Sequence, residues 1–276
     1  MNELFSLKQT DSFTTILKAY SDAGVDLGDI IDGGAGSGIT ATEMLSVLDA
    51  ETRCFAFEPF PGNHRFFEGL DPRIILIKKA LAETDRTSQF FVHSVVGEES
   101  KWRGGGFKGY SSVGYLTEQT GRAGEYYNVE CVRADQEIPG DRQVGAVKLD
   151  LQGGELNALR GMTKLFPNVK VMWVEYSGQA GLADFIEESG FMLFDTTYMF
   201  VGDCTEEARQ IFNVTKGDVA LSTGRKAWFG TKKSAWKNYE AELADFKKRF
   251  GLVQTDLVCI NRTYINEFIR AIQYLK

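Results

Sequence analysis

The sequence predicts an α/β protein built on a doubly wound, mostly parallel sheet. Three observations carry this. From residue 29 onward, short apolar runs suited to strands alternate with stretches of helical periodicity, the order that makes a parallel sheet with helices on both faces. The first run, Ile30-Ile31, ends in Asp32 and passes straight into a turn holding Gly33, Gly34, Gly36 and Gly38 before a helix begins near Thr40. Later strand ends again carry acids, at Glu58, Asp150 and Glu175. In open α/β sheets, ligands bind in the crevice outside the carboxyl ends of the strands.

Residues 11–23 read as a helix, with Asp11 or Ser12 as cap and Phe13, Ile16, Leu17 and Tyr20 on one face. Strand one covers 29–32 and the first crossover helix 39–49. A second strand, Arg53–Phe57, ends in Glu58-Pro59, a short helix covers Asn63–Leu70, and a third strand covers Ile74–Ile77 before Ala80-Leu81. The rhythm then changes. Ser88–Ser94 and Asn128–Arg133 have strand character, and between them lies the glycine-rich stretch Arg103–Tyr115, expected to be a mobile loop near the substrate. The core order resumes with a strand over 144–150, a helix from Glu155 to about Leu165 and a strand over Val169–Val174 before Glu175. A helix over Leu182–Ser189, a strand over Phe191–Phe194, a last strand within Leu252–Ile260 and a helix over Ile265–Leu275 follow.

Residues 198–250 interrupt the order. Trp236, Tyr239, Leu243, Phe246 and Phe250 recur at helical spacing and read as core. The lysines and arginines interleaved with them read as a solvated face, or as a surface for an anionic substrate or sugar. The expected organisation is one domain over 1–276, with an N-terminal helical segment (1–27), a β insertion (84–143) and a helical insertion (198–250) before the last strand.

Composition narrows the partners. A net charge of −7 argues against nucleic acid. The apolar runs are too short to span a bilayer, and the first residues lack the pattern of a signal peptide. Cys54, Cys131, Cys204 and Cys259 are far apart with no zinc spacing, and three of them lie in apolar, strand-like stretches. A cytoplasmic location and buried thiols are expected. Oligomeric state is not legible.

The glycine turn suggests a ligand. Gly36-Ser37-Gly38-Ile39-Thr40-Ala41 fits the dinucleotide fingerprint literally. Yet Asp32 stands before the first glycine, where a carboxylate repels a pyrophosphate and suits an ammonium. S-adenosylmethionine (SAM) carries an ammonium and a sulfonium and no phosphate. Asp32, Gly33, Gly34, Ala35, Gly36 and Ser37 are therefore candidate cofactor residues. Glu58, at the next strand tip, is placed to accept both hydroxyls of a ribose, with Pro59 beside it. Ala80 and Leu81 are candidates for an adenine surface.

The register Asp32-x-Gly34-x-Gly36-x-Gly38 resembles the first motif of class I SAM-dependent methyltransferases. The stretch Val147-Lys148-Leu149-Asp150-Leu151-Gln152-Gly153-Gly154-Glu155, with Leu159, Arg160 and Gly161, is similar to the signature of the FkbM-type methyltransferase family, roughly K-I-D-V-E-G-A-E followed by leucine, arginine and glycine. Phe57-Glu58-Pro59, Ala80-Leu81, Ser111-Ser112, Val132-Arg133-Ala134-Asp135 and Val174-Glu175 agree in order. The resemblance covers about 28–195 and the last strand. It implies a Rossmann-like fold with an antiparallel last strand, and SAM-dependent O-methylation of a sugar or polyhydroxylated small molecule or glycan. Gln152 departs from it, standing where the family usually has glutamate.

For such chemistry the candidate catalytic residues are Asp150, Glu175, Glu155 and His93. Asp150 can orient the acceptor hydroxyl and take its proton, while Glu155 binds another hydroxyl or favours its helix N-terminus. His93 and His64 are the two histidines, either a base or structural. Asp150 and Glu175 are compatible with a shared divalent ion, but no ligand spacing calls for one. Other readings of the same residues are an NAD(P)-dependent oxidoreductase on the glycine turn and Glu58, a SAM-binding protein made inactive by Gln152, and an adaptor using 198–250.

Overall fold

The computed structural model describes residues 9–92, 114–117, 124–195, 200–202, 205–211, 248 and 255–274. Its centre is an eight-stranded sheet. In chain order the strands are β1 (Asp29–Gly33), β2 (Cys54–Phe57), β3 (Ile74–Ile77), β8 (Val144–Leu149), β9 (Val171–Tyr176), β10 (Phe191–Asp195), β11 (Phe200–Val201) and β12 (Thr255–Asn261). They lie in the order β11-β10-β12-β9-β8-β1-β2-β3. Strands β3, β2, β1, β8 and β9 are mutually parallel, and β12 runs antiparallel between β9 and β10. The chain leaves β1 towards β2 and β3, then returns to lay β8 on the other side. The sheet therefore reverses its winding between β1 and β8, the switch point at which such folds hold ligands.

Strand alternation assigns each face its helices. Ile30, Ala56, Ala146, Trp173 and Val258 share a buried cluster with α1 (Gln9–Asp22), α2 (Ile39–Leu45), the helical residues 206–211 (α6) and α7 (Ile265–Ile272). Phe13 of α1 packs on Trp173 at 5.6 Å and Tyr20 on Phe268 of α7 at 6.0 Å between ring centroids. Ile31, Phe55, Val147, Met172 and Leu257 face the other way, against α3 (Ala134–Glu137), α4 (Glu155–Arg160) and α5 (Leu182–Glu188).

A second sheet holds β4 (Ala80–Leu81), β5 (Arg86–Val92), β6 (Gly114–Thr117) and β7 (Glu125–Val132) in the order β4-β7-β5-β6. Its apolar face covers Phe60, whose ring meets Phe90 at 6.5 Å and Tyr127 at 5.0 Å. The β insertion is thus clamped to the segment that follows β2.

Several expected boundaries move. The crossover helix expected over 39–49 ends at Leu45, because beyond Ser46 the chain turns with bonds to the third residue back, Val47 to Met44 and Leu48 to Leu45. The helix after Glu155 stops at Arg160 rather than near Leu165. Gly161 lies so close to the chain beyond β4 that an added Cβ would stand 1.9 Å from the Ala82 carbonyl oxygen, and a short 3₁₀ turn, Thr163–Leu165, follows. Ala80-Leu81, the small apolar residues after the third strand, form a strand of their own, β4, and pair with Cys131-Val132. Gly114 and Tyr115, expected within the mobile loop, begin β6 opposite Val92 and Phe91, whereas 103–113 lie outside the described residues. Within the segment expected to be helical before the last strand, Phe200–Val201 adds a strand to β10, and Trp236 to Phe246 and Phe250 lie outside the described residues. Cys54, Cys131 and Cys259 are buried thiols, and Cys204 lies outside the described residues. Among the described residues, no helix is long and apolar enough to cross a membrane.

Candidate active site

The carboxyl ends of the central strands carry a group of charged residues on the α1 face. Alternation places Asp32 of β1, Lys148 of β8, Glu175 of β9 and Asp256 of β12 on that face, one step beyond Ile30, Ala146, Trp173 and Val258. Asp32 is opposite Lys148 in the β1–β8 register, and Asp256 is opposite Glu175 in the β9–β12 register. All four are buried.

Lys148 is the cation at the centre of this group. Its Nζ lies 3.6 Å from Oδ1 of Asp32 and 3.7 Å from Oδ2 of Asp150, which follows β8. Burial works against its charge, but Asp32, Asp150, Asp256 and Glu175 together hold its ammonium above the usual lysine range. Asp32 is wholly buried, and neither of its carboxylate oxygens has a hydrogen bond. Burial therefore raises its carboxyl above the ordinary range, with Lys148 pulling the other way and Asp150 adding to the rise. A buried carboxylate without hydrogen bonds is costly, so this atom pair suits a charged donor arriving from the crevice.

The glycine turn is rigidly tied. Gly34 and Ala35 donate to the Phe57 carbonyl at 3.0 and 3.1 Å, and Gly36 donates to Oε2 of Glu58 at 2.7 Å. Gly34 has φ of +77°, and a Cβ there would lie 2.0 Å from the Asp150 carbonyl oxygen, so glycine is required on both counts. The turn is thereby pressed against the chain that follows β8. Leu81 closes it from the insertion side: a Cβ on Gly33 would stand 2.8 Å from its Cδ1.

Glu58 is buried at the tip of β2, and Oε1 accepts the Phe60 N–H at 2.8 Å. Burial pushes its carboxyl up to about 7, against the Phe60, Gly36 and Asn63 donors that favour the charged form. Its two backbone bonds leave lone pairs for further donors. His64 donates from Nε2 to the Glu58 carbonyl at 2.8 Å. Pro59 is buried beside it, and Ser37 is half-buried at the end of the glycine turn.

The loop after β8 brings together three of the residues singled out from the sequence. Asp150 has a side chain 42% exposed, so of this group it is the carboxylate that solvent reaches. Gln152 donates from Nε2 to Asp150 Oδ1 at 2.8 Å and to Glu175 Oε1 and Oε2 at 3.1 and 3.0 Å. Glu155 is fully buried and turned into its own loop: it accepts from the Leu151 N–H at 2.7 Å, the Gly153 N–H at 3.0 Å and the Gln179 side chain at 2.7 Å. Of the two roles open to Glu155 in sequence, these bonds are those of a residue that fixes the loop at a helix N-terminus. His93 lies outside the described residues. Among those residues, no cluster of histidine, cysteine or acids has the arrangement to hold a metal ion.

Two contributors carried no role in the sequence reading. Lys148 lies within the quoted signature, and its strand parity with Asp150 was the available signal. Asp256 sits on the last strand, whose antiparallel register with β9 no local pattern specifies.

Comparison with known proteins bears on this site. The sequence profile of the methyltransferase FkbM domain matches residues 32–208. The chain belongs to this family. The match opens at Asp32 and takes in the glycine turn, Glu58 and the whole loop after β8. No curated protein sequence matches the chain. Among solved structures, this FkbM-family chain is similar to precorrin-6y C5,15-methyltransferase from Geobacter metallireducens GS-15 at 15% identity, covering 71% of this chain and 77% of that one, with a TM-score of 0.38. It is also similar to a protein assigned as an RNA methyltransferase from Pyrococcus horikoshii, at 13% identity over 67% and 72% of the two chains, with a TM-score of 0.35. A third, assigned as an rRNA methylase from Clostridium thermocellum, has 12% identity over 62% and 80%, with a TM-score of 0.34. The family is one of methyltransferases, and membership implies SAM as methyl donor. The residues fit that donor: Asp32 offers a buried carboxylate with no hydrogen bond at the switch point, suited to an ammonium.

Proposed function

We propose that this FkbM-family protein methylates a hydroxyl of a sugar or polyhydroxylated small molecule, free or as part of a glycan. The observation that carries the reading is Asp150. It is the half-exposed carboxylate at the tip of β8, held by Gln152 and Lys148 next to the buried Asp32. When bound, SAM supplies an electrophilic methyl on a sulfonium sulfur that leaves as a neutral thioether.

The chain supplies the rest. Asp32 takes the cofactor's ammonium, Glu58 its ribose hydroxyls, and Ala80 and Leu81 an apolar surface beside the turn of Gly33, Gly34, Ala35, Gly36 and Ser37, where Gly36 has open space for close approach. Asp150 accepts the hydrogen bond of the acceptor hydroxyl, fixes its oxygen in line for displacement and takes its proton as the new C–O bond forms. Glu175, coupled to Asp150 through Gln152, keeps negative charge on this side of the crevice, which favours a sulfonium. Lys148 prevents that charge from accumulating unbalanced.

The test is a panel of sugars and polyhydroxylated acceptors incubated with SAM, with release of the demethylated cofactor as readout. Turnover confined to hydroxyl acceptors supports the reading. Transfer only to carbon or nitrogen nucleophiles contradicts it. Stabilisation of the protein against heat by NAD but not by SAM would favour an oxidoreductase instead.

A further inference from the structure

Gln152 is the one non-glycine residue with positive φ among the described residues, at +53°. Glutamine gains nothing locally from this conformation, which costs a residue with a Cβ on the order of 1 kcal/mol. Such an outlier at a ligand crevice directs attention to what its side chain does there. The side chain is exposed, so it does not fill the core. Its amide nitrogen stands between two carboxylates, 2.8 Å from Asp150 and 3.0 Å from the nearer Glu175 oxygen.

We propose that Gln152 is a positioning residue: its amide is a built-in neutral bridge that holds Asp150 and Glu175 together, in the place where two facing carboxylates would otherwise recruit a cation. An amide –NH₂ has two hydrogens, one for each carboxylate, and carries no net charge. It removes part of the repulsion between the acids without neutralising either. The same bond fixes Oδ1 of Asp150 and leaves Oδ2 towards Lys148 and the crevice. This inference rests on the reading of Asp150 as the residue that faces the acceptor.

The decisive variant is Gln152→Glu, which keeps the shape and turns the bridge into a third carboxylate. Without divalent ions, its melting temperature should fall by roughly 3–8 °C. Added Mn²⁺ should restore it and bind with a dissociation constant on the order of 10⁻⁴ M, seen as loss of the free-ion signal in electron paramagnetic resonance. The wild type should show no such stoichiometric binding. The double variant Gln152→Glu/Glu175→Gln should lose the Mn²⁺ site and regain stability without the ion.

A second variant, Gln152→Gly, relieves the backbone and removes the bridge. Its melting temperature should fall by a few degrees. A rise would show that the amide contributes nothing and overturn the proposal. So would a Gln152→Glu protein that melts like the wild type and ignores Mn²⁺, or Mn²⁺ binding that survives in the double variant. Turnover of a hydroxyl acceptor by Asp150→Asn separates the two readings. Normal turnover in that variant contradicts the role of Asp150 at the acceptor, whereas a missing Mn²⁺ site in Gln152→Glu contradicts the bridge alone.

Discussion

Lys148 and Asp32 face each other across β8 and β1, both buried, with the ammonium 3.6 Å from the carboxylate. The pair occupies the point where the sheet reverses its winding. It is too long for a hydrogen bond, so Asp32 keeps its lone pairs for another donor while its charge remains balanced.

The pair can be broken from the lysine side. Lys148→Met keeps most of the volume and leaves Asp32 buried without a counter-ion. It should destabilise the protein by about 3–5 kcal/mol near neutral pH. Below the raised range of Asp32 that carboxyl is protonated in the folded state, so the deficit should shrink in acid. Urea denaturation of both proteins over a descending pH series measures this, and a deficit that does not change with pH down to the acid limit of folding would argue against it.

Glu58 sets a second pH dependence. Its folded carboxyl is raised from 4.5 to about 7. A raised carboxyl contributes stability that is fully present below the unfolded value and is lost as pH rises through the folded one. Wild-type stability should therefore fall by roughly 2–4 kcal/mol between pH 4.5 and pH 7.5 relative to Glu58→Gln. If ribose hydroxyls bind the ionised form, SAM affinity should weaken as pH falls below 7 in the wild type, and this component should be absent in Glu58→Gln.

Gly161 is a purely steric prediction. Its φ of −81° suits any residue, but the Ala82 carbonyl leaves no room for a Cβ. Gly161→Ala should cost about 3 kcal/mol or more, since backbone rather than a flexible side chain must move. Thermal or urea denaturation checks it, and a neutral substitution would mean the β4 segment and α4 are not packed as described.

Asp150→Asn keeps the shape and removes the charge. With the true acceptor, turnover should fall by about 10²–10⁴ while SAM affinity changes far less. Normal turnover would remove Asp150 as the base and make His93 the next residue to test. Joint loss of SAM binding would recast it as a cofactor residue.

Most of the sheet was legible because each parallel strand is a short apolar run closed by a turn or an acid. Ile74–Ile77 matches residue for residue, and Asp32, Glu58, Asp150 and Glu175 fall at strand tips as their positions imply. Helix ends were less legible. At α2 and α4 they are set by turns and by a backbone approach at Gly161 that no propensity encodes. The partners of Asp32 and Glu155 were hidden for a related reason. Strand parity aligns Lys148 with Asp32 only once the β1–β8 register is known, and the inward turn of Glu155 depends on Gln179 in a different loop.

Asp32 and Glu58, flanking the glycine turn, are expected to hold SAM. Calorimetric titration of SAM into the wild type, Asp32→Asn and Glu58→Ala tests it most directly. A single site is expected in the wild type, with a loss of about 1.5–3 kcal/mol in each variant, the scale of hydrogen bonds to a charged group. That loss corresponds to roughly 10- to 150-fold in dissociation constant. Undiminished affinity in both variants, with the proteins folded, would contradict it.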